Sequence, residues 1–214
     1  EGVSTCGACL RRPPPWQRAI AAVTYAWPWT DAIARLKFAG DAGWARPLAA
    51  LLAAAPGTDD LLDRCDRVLP LPLSPQRLAE RGFNQSLLLA RALQALKTDS
   101  TLLLRVRDTP VQHALPRAER LRNVQGAYAV EPLRAAAVRG QHLLLVDDVM
   151  TSGASLEAAA RCLLDAGARG VADKATARIS ALLTEAGIGH ALATDDDLPK
   201  GALKNARAAL LPYN

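Results

Sequence analysis

Leu143-Leu144-Leu145-Val146-Asp147-Asp148-Val149-Met150-Thr151-Ser152-Gly153-Ala154-Ser155 is the stretch whose reading decides the fold. Four apolar residues in a row, Leu143 to Val146, predict a strand buried on both faces, as in a parallel sheet. Two carboxylates follow where that strand should emerge. A small-residue turn, Thr151 to Ser155, comes next, and beyond it Leu156, Ala160, Leu163 and Leu164 recur at helical spacing. Strand, acidic pair, hydroxyl-and-glycine loop and helix together make a cradle for phosphate. The helix start offers N–H groups without intrahelical partners and the positive end of a dipole. Thr151, Ser152 and Ser155 add hydroxyl donors, and Gly153 lets the backbone approach an anion closely. Two adjacent acids would repel a phosphate if they touched it. They make sense if the ligand also carries hydroxyls, a metal or both, and a sugar phosphate meets that description. An ordinary strand end with a capped helix needs neither two acids nor a five-residue small loop.

Working outward, 214 residues suffice for one sizeable α/β domain with something small appended. Half the residues are apolar but only 4% are aromatic, so Leu and Ala must carry the core. No run of 18 apolar residues appears, which predicts no membrane span; with no secretory signal either, a cytoplasmic location is expected. The chain starts at Glu1 rather than Met, which suggests a truncated N-terminus. The net charge of +5 is uneven: Arg64 to Arg122 holds eleven Lys/Arg against five Asp/Glu, and all but one of the cations are Arg. The guanidinium fork suits phosphate oxygens, so a polyphosphate or nucleic-acid ligand explains the clustering. Cys65 and Cys162 read as isolated, reduced thiols. Cys6-Gly7-Ala8-Cys9 is a C-x-x-C pair, half of a tetrahedral zinc site whose other half would lie before residue 1.

Pro13-Pro14-Pro15 closes a leading segment and acts as a stiff spacer. Residues 19–25 read as a strand and Trp27-Pro28-Trp29 as a turn. Residues 31–38 read as a helix with Ile33, Leu36 and Lys37 at helical spacing, and 45–55 as a second helix. Trp27, Trp29 and Trp44 are expected to pack rather than to stack on bases. Val68 to Leu73 is a short apolar strand; residues 74–85 read as a loop, then 87–96 as a helix. After a strand at Leu102 to Val106 comes a polar segment, 107–126, without sustained apolar periodicity, the mark of a lid or binding loop. Residues 175–186 read as an amphipathic helix, and Asp195-Asp196-Asp197 as solvated.

The acidic pair with its loop resembles the phosphoribosyl diphosphate (PRPP) signature of type I phosphoribosyltransferases. Val68-Leu69-Pro70-Leu71-Pro72-Leu73 precedes Arg81-Gly82-Phe83-Asn84-Gln85. Arg107-Asp108-Thr109-Pro110-Val111-Gln112 follows, then Glu119-Arg120 before Asn123, then the loop at Thr151. In that order these segments resemble the ComF family, phosphoribosyltransferase-like proteins linked to competence for DNA uptake, over about residues 6–170. The resemblance implies an α/β fold, a type I phosphoribosyltransferase-like parallel sheet flanked by helices over 16–171. A Cys-containing remnant, 1–15, would precede it and an atypical helical extension, 172–214, would follow.

By the same resemblance Asp147 and Asp148 would contact the ribose hydroxyls, and Met150, Thr151, Ser152, Gly153, Ala154 and Ser155 would hold the 5′-phosphate. Pro72, Leu73, Ser74 and Arg81 would line the pyrophosphate, and a lid would carry Thr109, Gln112, Arg117 and Arg120. The implied chemistry is displacement of pyrophosphate from ribose C1, with Arg107 and Mg²⁺ neutralising the leaving group and the metal held mostly by ligand oxygens and water. The acceptor is not encoded in any readable motif, and His113 in the lid reads as a bystander. Family members begin with two C-x-x-C pairs; only Cys6 and Cys9 stand here, so zinc binding depends on the missing half. A rival reading is a non-catalytic module whose Arg-rich face binds single-stranded DNA or a helicase partner. A structural remnant is a third, and self-association stays open.

Overall fold

The structure, a computed structural model, describes residue 11 and residues 13–108 and 124–178. Its strands are β1 (Ala19–Thr24), β2 (Arg67–Pro70), β3 (Leu103–Arg105), β4 (Tyr128–Val130), β5 (His142–Met150) and β6 (Gly170–Arg178). Its helices are α1 (Trp29–Phe38), α2 (Ala45–Ala54), α3 (Thr58–Arg64), α4 (Pro75–Arg81), α5 (Gln85–Gln94) and α6 (Ala154–Asp165). Cys6 and Cys9, the lid residues Thr109, Gln112, Arg117 and Arg120, and the Asp195 run lie outside the described residues.

The apolar run Leu143–Val146 does what its composition dictates. It sits inside a parallel sheet of order β1-β6-β5-β2, with Leu143, Leu144, Leu145 and Val146 all at most 1% exposed. Alternation divides it between two cores. Leu143 and Leu145 pack with Leu156, Ala160 and Leu163 of α6 and with Tyr128; Leu144 and Val146 pack with Leu36 of α1, Leu48 of α2 and Leu89 of α5. Helices therefore cover both faces, as a parallel sheet requires. This is the type I phosphoribosyltransferase architecture expected from the sequence. Among the described residues, no helix is long and apolar enough to cross a membrane.

Four expectations need correction. β5 does not stop at Val146. β6 goes on pairing beside it as far as Met150↔Arg178, and that ladder carries the strand through both acids. β6 itself begins at Gly170, so the boundary expected at 171/172 falls within a strand, and 175–178 are not helical. It bonds to β5 on one side and β1 on the other, and two rows of backbone bonds override the helical preference of Ala-Asp-Lys-Ala. Residues 75–81 are a helix, not a loop: the Ser74 hydroxyl accepts the Arg77 N–H at 3.3 Å, Pro75 opens the first turn, and Gly82 (φ 78°) ends it. Trp27 also departs from expectation. It is 74% exposed, whereas Trp29 and Trp44 pack against the core. Cys65 is a buried free thiol and Cys162 a half-buried one, and burial raises both above their ordinary range.

β3 and β4 pair antiparallel, Leu103↔Val130 and Arg105↔Tyr128, and form the stem from which the expected lid springs. The stem's neighbourhood is anchored by Asp99. Its carboxylate takes Arg134 at 2.6 and 2.9 Å and Arg67 at 3.5 Å, and the Thr101 hydroxyl at 3.0 Å. The Arg134 guanidinium holds this carboxyl at about 2, below the usual 3.8. The folded value is depressed, so the stabilisation is complete above pH 4 and disappears as pH falls toward 2. It amounts to roughly 2 kcal/mol. In urea titrations the gap between wild type and Asp99→Asn should close over that interval; a gap independent of pH contradicts this role.

Candidate active site at the carboxyl edge of the sheet

Ligands of open α/β sheets bind beyond the carboxyl ends of the strands, and the chain's polar signals converge there. β5 delivers both acids. Asp147 is half-buried, and its Oδ1 accepts the hydroxyl of Ser86, on α5, at 3.1 Å and the Asp148 N–H at 2.9 Å. Asp148 follows on the same strand. It is 6% exposed, with Oδ1 3.3 Å from the Lys37 ammonium and 2.7 Å from the Val149 N–H. Asp148 is thus buried against Lys37 of α1, while Asp147, half-buried, meets Ser86 of α5 and lies close enough to Tyr128 to act on it electrostatically.

The loop expected to hold phosphate closes around Gly153, which caps α6 at φ 74°, a conformation that favours glycine. A side chain there would also meet the Trp16 ring at 3.3 Å and Met150 Sδ at 3.8 Å. Met150 and Ala154 are buried; Thr151, Ser152 and Ser155 are half-buried, and Ser152 Oγ accepts the Ala154 N–H at 3.4 Å. The N–H groups at the start of α6 and the positive end of its dipole give this edge positive potential.

The segment 71–74 runs beside β5. The Leu71 N–H donates to the Val146 carbonyl at 2.9 Å, and the Asn84 amide donates to the Leu71 carbonyl at 3.0 Å while its oxygen caps α5. Pro72 and Leu73 are half-buried and Ser74 is buried as the cap of α4. Arg81 stacks over the Phe38 ring, 5.4 Å from its centroid. Exposed Arg107 donates to the Gln125 carbonyl at 2.8 Å across the base of the lid segment. The basic stretch thus divides. Arg77, Arg81, Arg105 and Arg107 belong to elements around this edge, while Arg64 pairs with Asp60 and Arg67 with Asp99.

Four contributors were missed in the sequence. Lys37, Ser86, Arg105 and Tyr128 all touch groups of the site. Arg105 Nη1 donates to Tyr128 Oη at 3.2 Å, and the buried phenol has Ser155 as a side-chain partner, with Asp147 and Arg77 close enough to act on it electrostatically. Burial raises the Tyr128 hydroxyl above its usual 10, so it stays protonated. Lys37 had one visible signal: it repeats with Ile33 and Leu36 on the buried stripe of α1.

A parallel sheet flanked by helices, with an acid and a glycine-capped helix at its carboxyl edge, fits a phosphoribosyltransferase-like protein, and residues 101–183 match the phosphoribosyl transferase domain family. The chain is 38% identical to the DNA utilization protein YhgH of Escherichia coli K12 over 173 residues, 78% of this chain and 74% of that one. It is 29% identical to Competence protein F of Haemophilus influenzae over 170 residues (74% and 71%), and 36% identical to Competence protein ComFC of Bacillus subtilis over 100 residues (47% and 39%). The chain belongs to the ComF family of phosphoribosyltransferase-like proteins.

Proposed function

We propose that this protein binds PRPP and transfers its phosphoribosyl group, serving the handling of DNA after which its relatives are named. The observation that carries the proposal is Asp147, a half-buried carboxylate near the carboxyl end of β5, the strand that leads into the Gly153-capped helix. Loop N–H groups and hydroxyls bind the 5′-phosphate, and Asp147 accepts from the ribose alcohols. Ser86 fixes the carboxylate from one side, so it is oriented before the ligand arrives.

In the reaction the C1–O bond to diphosphate breaks, its electron pair leaves with the diphosphate, and the acceptor's lone pair forms the new bond to C1. Positive charge grows on the ring in between, and the Asp147 anion stabilises it. Arg77, Arg81 and Arg107 bring positive charge toward the departing diphosphate. A hard divalent ion accompanying PRPP fits a site of this kind, because Mg²⁺ takes substrate phosphates and one or two carboxylates; Asp147 is the acid it would meet. Bound there, it would offset charge on the leaving group.

Calorimetry with PRPP in the presence of Mg²⁺ should show binding by the wild type and about tenfold weaker binding by Asp147→Asn, the loss of one charge-assisted contact. Unchanged affinity in the variant counts against the site. A second reading, a single-stranded DNA site on the same arginines, is favoured by Trp27, which stands exposed after the carboxyl end of β1. Salt-sensitive DNA binding that survives Asp147→Asn would favour it.

A further inference from the structure

The ladder between β2 and β5 divides at its carboxyl end. Its last pair is Pro70↔Val146, and the Leu71 N–H still donates to the Val146 carbonyl at 2.9 Å. The next bond of a parallel ladder would run from the Asp148 N–H to the Leu71 carbonyl. Side chains take up both groups instead: the Asp148 N–H donates to Asp147 Oδ1 at 2.9 Å, and the Leu71 carbonyl accepts from the Asn84 amide at 3.0 Å. The two prongs of this fork lead to different parts of the site. From Leu71 the chain runs through Pro72, Leu73 and Ser74 into α4, which carries Arg77 and Arg81; from Val146 it runs to Asp147. One helix start spans both. Asn84, the cap of α5, holds the Leu71 prong with its amide N–H while its oxygen accepts the Leu87 N–H at 3.3 Å, so the amide cannot turn over without losing both bonds. Two residues on, Ser86 is 3% exposed and gives its hydroxyl to Asp147 Oδ1 at 3.1 Å.

We infer that the first turn of α5 holds this fork open, with Asn84 and Ser86 as positioning residues that set the gap between segment 71–74 and Asp147. The inference rests on the PRPP reading above and deepens it, because the prongs serve different ends of that ligand: Asp147 the ribose alcohols, the segment leading into α4 the diphosphate. Without the Asn84 amide, the Leu71 carbonyl is released to take the Asp148 N–H. The ladder then closes by one bond and draws Pro72 to Ser74 toward β5, while Asp147, still held by Ser86, stays in place. The diphosphate would meet a displaced segment and the ribose an unchanged acid. Prongs held apart beforehand spare the ligand that rearrangement.

Calorimetry with two ligands, PRPP with Mg²⁺ and ribose 5-phosphate, tests this. Asn84→Ser keeps a capping oxygen for α5 but loses the amide donor. It should weaken PRPP binding about tenfold and ribose 5-phosphate binding less than about twofold. Ser86→Ala, which loosens Asp147, should weaken both ligands alike, by about fivefold. Asn84→Thr makes the same test if the serine variant folds poorly. A merely structural loss would lower the ligand-free melting temperature and both affinities together. Equal losses of the two ligands in Asn84→Ser, or wild-type affinities in either variant, overturn the inference and leave the site reading standing. If the wild-type protein takes up neither ligand, the site reading itself fails and the fork with it.

Discussion

Lys37→Met is expected to cost the fold roughly 3–5 kcal/mol, the typical penalty for stranding one member of a buried ion pair. Lys37 and Asp148 meet at 3.3 Å with side chains 3% and 8% exposed, so water cannot take over the role of the missing ammonium. The backbone also takes part: the Gln85 amide donates to the Lys37 carbonyl at 3.5 Å, which ties the end of α1 to the start of α5. Equilibrium denaturation should therefore show Lys37→Met strongly destabilised. Lys37→Met with Asp148→Asn should recover much of the loss. The buried charge is then gone, while the introduced amide oxygen can still accept the Val149 N–H that Asp148 accepts at 2.7 Å. A single variant as stable as wild type, or a double variant no better than the single, would show that the pair does not bear on stability. The same pair changes what Asp148→Asn alone means. That substitution removes the carboxylate 3.3 Å from Lys37, and its effect on ligand binding is expected to be transmitted through β5 rather than through a lost contact.

Lys174→Met should do the opposite and raise stability at neutral pH by about 3 kcal/mol. Lys174 lies on β6 and is fully buried, with its ammonium on the Thr58 hydroxyl and the Asp59 charge acting favourably on it. Burial outweighs that attraction and lowers its value from 10.5 to about 8. The unfolded chain therefore binds more protons between those two values, and wild-type stability climbs as pH rises from 8 to 10.5. Below pH 8 the full penalty is present. Thr58 does not need the lysine, since its hydroxyl already lies 2.6 Å from the Ala55 carbonyl and 2.8 Å from the Leu52 carbonyl. Denaturation at pH 7 and pH 10 should show the wild type approaching the variant at the higher value. A wild-type curve that does not approach the variant's would mean that Lys174 reaches solvent in solution.

These two lysines show where the sequence was legible. The apolar run before Asp147 and the glycine turn that opens α6 could be read directly, because buried parallel strands and helix starts depend on local composition. Lys37 sat visibly on the buried stripe of α1, but its partner is 111 positions away, and spacing along a helix says nothing about such a partner. β6 was misread for a related reason. Its Ala-Asp-Lys-Ala-Thr-Ala sequence has no strand pattern of its own, and the ladder to β1 and β5 makes it one. The helix 75–81 was readable and overlooked: Ser followed by Pro is a cap followed by a first turn. Tyr128 offered no local signal, since its partners come from β3, β5 and α6.

A ribose phosphate between Asp147 and the Gly153 turn should be recognised by its sugar as well as by its phosphate. Titrate wild type and Asp147→Asn by calorimetry with ribose 5-phosphate and with 2-deoxyribose 5-phosphate. The wild type should prefer the ribose form by about tenfold, the worth of one hydroxyl donated to a carboxylate, and the variant should bind both sugars alike. Equal affinity for the two sugars in the wild type, or a preference that survives in Asp147→Asn, would contradict the account.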